Sequence, residues 1–222
     1  MSDLFIKDMD AAGLSVYVAR QLEFHFPDGK SWEADIKGFM PTALERTYRC
    51  FQGIERKKYR FGGRVMFNPL HPDHYAAFLY LLANTVSRTE PDHPLAFRLF
   101  YLNKVLHGLD AYPDVQLPEV FQFMHPLGTV LGHARYGNYF CAYQGCSVGS
   151  DEDGVFPTLG DYVILYAGAS VIGRCNVGSN VVVGAGAMVL NRDIPDDKVV
   201  VVGERSVRVS ASNLHVRERR FT

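Results

Sequence analysis

The stretch Leu159-Gly-Asp-Tyr-Val-Ile-Leu165-Tyr-Ala-Gly-Ala-Ser-Val171-Ile-Gly-Arg-Cys-Asn-Val177-Gly-Ser-Asn-Val-Val-Val183-Gly-Ala-Gly-Ala-Met-Val189 sets an aliphatic residue at every sixth position. Gly160, Gly173, Gly178 and Gly184 follow one or two places behind four of them. Helical burial recurs every three or four residues and strand burial every two, so a strict six matches neither as a continuous element. It fits a short strand, a sharp corner and another short strand, repeated. A fixed short period of this kind marks a solenoid, in which no turn buries its apolar face until the next stacks on it. Three hexads close one triangular coil. An ordinary β-sandwich would have to hold the same spacing through five successive intervals by chance.

These hexads resemble those of the hexapeptide-repeat acyltransferases, and the resemblance implies a left-handed parallel β-helix. Handedness comes from the resemblance alone, because period does not fix it.

With 222 residues the chain can bury a core without disulfides. Its 23 Lys and Arg against 24 Asp and Glu give a net charge of -1, which argues against nucleic acid or an anionic membrane as the main partner. The Arg217-Glu218-Arg219-Arg220 run reads as a solvated tail. No stretch approaches a membrane span, and Met1-Ser2-Asp3-Leu4 lacks the regions of a secretion signal, so a cytoplasmic location is expected. Cys50, Cys141, Cys146 and Cys175 show no metal spacing and read as small buried hydrophobes, with a nucleophilic Cys146 the sharper but weaker alternative.

Residues 1–109 follow a different grammar and read as an α-helical domain. Ala11 to Phe24 forms one helix. Leu44, Tyr48, Phe51 and Ile54 share a face of a second, opened by Pro41-Thr42. A third is capped by Asn68, with Pro69 in its first turn, and a fourth follows Pro94 and stops at Gly108. His71, His74, His93 and His107 lack carboxylate or cysteine companions at ligand spacing, so no metal is expected. The fold class is therefore α + β: helices over 1–109, a β-helix over 110–203, and a cap and tail over 204–222.

Ahead of the hexads, His125-x-x-Gly128-x-Val130-x-Gly132 resembles the catalytic histidine segment of the serine O-acetyltransferases, and Asp110 stands where that family keeps the aspartate behind its histidine. The likeness runs on through Phe156-Pro157-Thr158-Leu159-Gly160 and covers roughly the last two thirds of the chain. The chemistry has its own logic. Acyl transfer from a thioester to a hydroxyl needs a base that removes a proton as the oxygen attacks, and a carboxylate behind a histidine fixes its tautomer and stabilises the imidazolium. A separation of fifteen residues is close to one coil, which puts Asp110 and His125 on adjacent coils about 4.8 Å apart. His133 is the competing base.

The resemblance implies acetyl-CoA as donor, lying along the outside of the β-helix in a groove between subunits of a homotrimer, and leaves open whether two trimers join through the helical domain. Position by position it assigns Gly149, Ala167 and Ala185 to the donor, small residues that let the main chain approach a ligand; as corner residues small for packing they read almost as well. A lysine that the family places near the donor is Val182 here.

The acceptor side departs from the family: Met124 replaces an aspartate, and Val155-Phe156-Pro157 replaces Arg-His-Pro. An amino acid brings two charges that need partners once desolvated, and Met124, Val155 and Phe156 offer none. The variant motifs resemble serine-acetyltransferase-like proteins of surface-polysaccharide assembly. The expected activity is thus direct acetyl transfer to a hydroxyl of a sugar or nucleotide-sugar, with His125 as general base and Asp110 behind it. The alternatives are a serine O-acetyltransferase with a rebuilt pocket, and a non-catalytic β-helix assembly protein. The acidic loop Ser150 to Gly154 interrupts the repeat and reads as a solvated excursion within reach of a neighbouring subunit.

Overall fold

The computed structural model describes residues 4–204 and 206–222. They form two units, one reaching to His107 with Tyr112–Asp114 added, the other comprising Gly108–Ala111 and Val115–Thr222.

In the first unit, α1 (Ala11–His25) is opened by Asp10, whose carboxylate accepts a 2.7 Å hydrogen bond from the Gly13 N–H. The second helix, α2 (Glu33–Gln52), begins eight residues before the expected Pro41 start. Glu33 and Asp35 favour its first turn, Glu33 pairs with Lys37 at 2.5 Å, and Ile36 and Met40 extend the buried stripe of Ala43, Leu44 and Phe51 backward. Pro41 lies within this helix, where the stripe outweighs the one backbone donor that proline removes.

Helix α3 (Pro72–Thr89) also starts later than expected. Asn68 is a turn residue, its Oδ1 accepting from Leu70 N and its carbonyl from His71 N, and Pro72 takes the first helical position that Pro69 was expected to hold. Helix α4 (Leu95–His107) ends at Gly108, φ +64°, as read from the sequence. A small sheet that the sequence reading did not anticipate joins Leu4–Ile6 in parallel, and Arg60–Phe61 antiparallel, to Arg64–Phe67.

The second unit is a parallel β-solenoid. One face stacks strands 121–124, 140–143, 164–165, 182–183 and 198–201, with 208–211 added antiparallel at its end. The next, the open face, stacks 110–111, 130–131, 147–149, 170–172 and 188–190. The shortest stacks 135–136, 158–159 and 176–177. The six-residue period is why: Leu159, Leu165, Val171, Val177, Val183 and Val189 all point inward and are at most 3% exposed. Among the described residues no helix is long and apolar enough to cross a membrane.

Candidate active site

Met124 ends its strand, and the chain then turns sharply onto the open face. His125 sits in that turn at φ +52°, with Leu127 N donating to His125 O at 2.7 Å and Gly128 following at φ +71°. Tyr139, Tyr162, Asn180 and Asp197 take the same left-handed backbone at another corner of the solenoid, so the conformation belongs to its sharp turns. Beneath His125, Gly128 N donates to Gly108 O at 3.0 Å, Asp110 N donates to Thr129 O at 2.9 Å, and Asp110 pairs in register with Val130. Asp110 and His125 therefore share one corner of the prism on adjacent coils, the former half-buried and the latter exposed. Gly108 is required for this approach, since a Cβ there would stand 3.2 Å from Gly128 N.

The same corner continues up the solenoid as a column of left-handed glycines, Gly128, Gly145, Gly168 and Gly186, at φ +71°, +65°, +69° and +67°. Gly145 N donates to Leu127 O, Gly168 N to Gln144 O and Gly186 N to Ala167 O, each at 2.9 Å. Ala167 and Ala185 thus stand one above the other over the His125 turn, a strip of main chain with little side chain on it. Gly149 lies elsewhere: it ends the strand Ser147–Gly149, paired with Ile172, at the opposite edge of the open face.

The three acceptor positions are likewise divided. Met124 adjoins His125 and pairs in register with Tyr143. Val155 and Phe156 stand at the far edge with Gly149. There the 38% exposed Phe156 ring lies over Gly132, where a Cβ would come within 3.0 Å of it, and meets the His133 ring edge-on at 6.0 Å. The acidic loop closes on itself, with Asp151 Oδ1 accepting from Asp153 N at 3.1 Å and Val155 N at 3.0 Å.

The C-terminal segment, expected from the sequence to end in a solvated tail, packs on a face of the solenoid. On strands 164–165 and 182–183 the inward residues are Leu165 and Val183, so Ile164 and Val182 point outward; yet they are 0% and 3% exposed. Helix α5 (Val216–Arg220) docks against residues that flank these strands. Val216 N donates to Asn180 Oδ1 at 2.8 Å, His215 meets Tyr162 at 4.7 Å, Phe221 meets Tyr139 at 5.2 Å, and Val216 and Phe221 are almost wholly buried. Arg220, read as part of a solvated run, is half-buried with its guanidinium 4.9 Å from the Tyr143 ring centre and 5.5 Å from that of Tyr166. The signal was present in the sequence: apolar residues at outward hexad positions of one face, and two large apolar residues in a charged tail.

All four cysteines are buried, and burial pushes the Cys146 and Cys175 thiols up, away from a reactive thiolate. His74 is held neutral by burial, with a pKa lowered to about 2.

A helical unit followed by a solenoid of hexads, with a histidine turn above an aspartate strand at one corner, defines the hexapeptide-repeat acyltransferase class. No family model matches the sequence. The chain is 38% identical over 107 residues to the serine acetyltransferase of Synechococcus elongatus, an alignment covering 46% of this chain and 43% of that protein. It is 30% identical over 138 residues to the serine acetyltransferase of Helicobacter pylori strain 26695, covering 60% of this chain and 78% of that one. Among solved structures, the Neisseria gonorrhoeae serine acetyltransferase in complex with serine shares its fold at a TM-score of 0.65 and 21% identity, over 89% of this chain and 84% of the other. The chain belongs to the serine acetyltransferase family. It spans less than half the length of the Synechococcus relative.

Proposed function

We propose that the chain is an acetyl-CoA-dependent O-acetyltransferase whose acceptor is the hydroxyl of serine. The observation that carries this reading is the corner where the His125 turn stands directly on the Asp110 strand, at the foot of the bare Ala167–Ala185 column. Support for serine comes from the relatives, whose own activity is serine acetylation.

In this reading the imidazole of His125 takes the hydroxyl proton as the oxygen attacks the thioester carbonyl. The Asp110 carboxylate holds the ring and offsets the charge it gains. The tetrahedral adduct then collapses: the C–S bond breaks and the imidazolium returns its proton to the departing thiolate. No acyl-enzyme forms. Ala167 and Ala185 carry the donor's arm, contacted by backbone groups.

A homotrimer completes the site. Within one chain His125 and Phe156 occupy opposite edges of the open face, so a neighbouring copy is needed to bring Gly149, Val155 and Phe156 to a histidine corner. The open face suits such contact, with Val130 45%, Met188 54% and Leu190 53% exposed.

A sugar hydroxyl is the second reading. It is favoured by the uncharged set Met124, Val155 and Phe156, and it links to surface-glycan assembly only through the motif resemblance noted above. The test is an acceptor screen with acetyl-CoA: release of coenzyme A with L-serine carries the first reading, release only with sugars the second, and release with neither class removes acetyl transfer to these hydroxyls.

A further inference from the structure

Beside the glycine column runs a second row on the covered face. Met124 pairs in register with Tyr143, and the Tyr143 ring packs on Tyr166 one coil higher, centroids 4.9 Å apart. Tyr143 immediately precedes Gln144, and Tyr166 immediately precedes Ala167, so both rings border the strip that starts at His125. Arg220 is delivered onto these two rings by α5. Its Nη2 donates to Tyr166 Oη at 3.4 Å, a long contact, and its Nε is buried with no hydrogen-bond partner among the described residues. No ion pair is formed by Arg220 among the described residues.

A guanidinium lying against aromatic rings is attracted through their π faces and keeps its in-plane N–H groups directed away from those faces. These groups form a planar fork suited to an oxyanion, and a buried N–H without an acceptor is costly. The cation sits between the first and second coils above Met124, within roughly 5–10 Å along the axis of the His125 coil at the strand spacing of about 4.8 Å.

We infer that Arg220 is a substrate-binding residue, receiving an oxyanion of a bound substrate at the His125 corner. Two sources share this chemistry: the carboxylate of an amino-acid acceptor and the phosphates of the donor. The first would supply the charge that Met124, Val155 and Phe156 lack. The second would place a cation on the face where Val182 offers none. The inference rests on the acetyltransferase reading above and adds a residue to it.

The test is R220M, with R220K and R220Q beside it, and two substrate pairs: acetyl-CoA against S-acetylpantetheine, which lacks the nucleotide and all its phosphates, and L-serine against serinamide, which lacks only the carboxylate. The expected result is a rise of at least about tenfold in KM for the charged member of one pair, in line with a charge-assisted hydrogen bond. The uncharged member is unaffected, and R220K restores part of the loss. The pair that responds names the source.

Unchanged ratios in both pairs overturn the inference. So does an equal loss for all four substrates with a lowered melting temperature, which marks a latch, and so does failure of both R220M and R220Q to fold. If the wild type transfers no acetyl group, the reading above falls by itself. The same ratios are then taken by calorimetry as dissociation constants, with coenzyme A and pantetheine as the donor pair, and unchanged values again overturn the role of Arg220.

Discussion

At the residue scale, His125 is defined by conformation as much as by side chain. Its φ of +52° turns the chain from the covered face to the open face, and the coil beneath sets Asp110 at the same corner. H125A is expected to lower kcat by at least about a hundredfold, the usual worth of a general base, while coenzyme A still raises the melting temperature. D110N should act through His125, lowering kcat less and shifting the pH–rate profile. Steady-state kinetics with ligand-induced thermal shifts checks both.

His107 carries a different prediction. Burial holds its pKa down at about 4, with Nδ1 2.7 Å from Asn103 Oδ1. Because Asn103 Nδ2 donates to Ala76 O, Asn103 Oδ1 faces His107 and accepts from its Nδ1–H, which fixes that tautomer. The unfolded chain, with a histidine near 6.5, binds the proton first, so His107 adds stability at neutral pH that is lost as pH falls from about 6.5 toward 4. Its full loss is on the order of 3 kcal/mol. Urea unfolding at pH 7 and pH 4.5 should show the decline, and H107Q should flatten it.

At the scale of elements, the glycines of the repeat divide into two kinds. Those of the His125 corner are there for φ, whereas Gly137 and Gly160 are there for room between coils. A Cβ on Gly137 would stand 2.3 Å from the carbonyl carbon and oxygen of Gly160, and backbone does not move aside as a side chain does. G137A is expected to cost about 3 kcal/mol, the upper part of the overpacking range, read from the urea midpoint.

Helix α5 has the opposite character, a short element stable only because it is docked. Five residues cannot hold a helix in water. Ending the chain before Leu214 removes Val216 and Phe221 from their buried sites. The expected loss is about 3–6 kcal/mol from the two tail side chains, with a larger denaturant dependence of the native baseline. Differential scanning calorimetry of the truncated chain checks it. Sequence reading failed at this element because a short docked helix has no period of its own, and its charged residues match those of a free tail.

At the scale of the molecule, the open face decides whether the site is complete. Its exposed Val130, Met188 and Leu190 and its division of the candidate residues between two edges predict self-association. Sedimentation equilibrium should give three times the 24.9 kDa chain mass, or six times if trimers pair. M188E, a charge placed on that face, should yield monomers with the solenoid intact by circular dichroism and with activity lost.

The solenoid and the helical first half were legible in the sequence. Stacking of hexads is dictated by a period that runs along the chain, whereas the fifteen residues between Asp110 and His125 fall five short of the twenty that separate Asp110 from its register partner Val130. Helix starts were misplaced at Pro41 and Pro69 because a proline rule is local, while the buried stripe of α2 and the Asn68 turn depend on what packs around them. Only the tertiary structure decided that Gly149 and Phe156 stand across the open face from His125, and that Arg220 lies on Tyr143 and Tyr166. Those placements follow from how coils stack and where a returning tail finds apolar surface, and both are set by contacts between residues far apart in the chain.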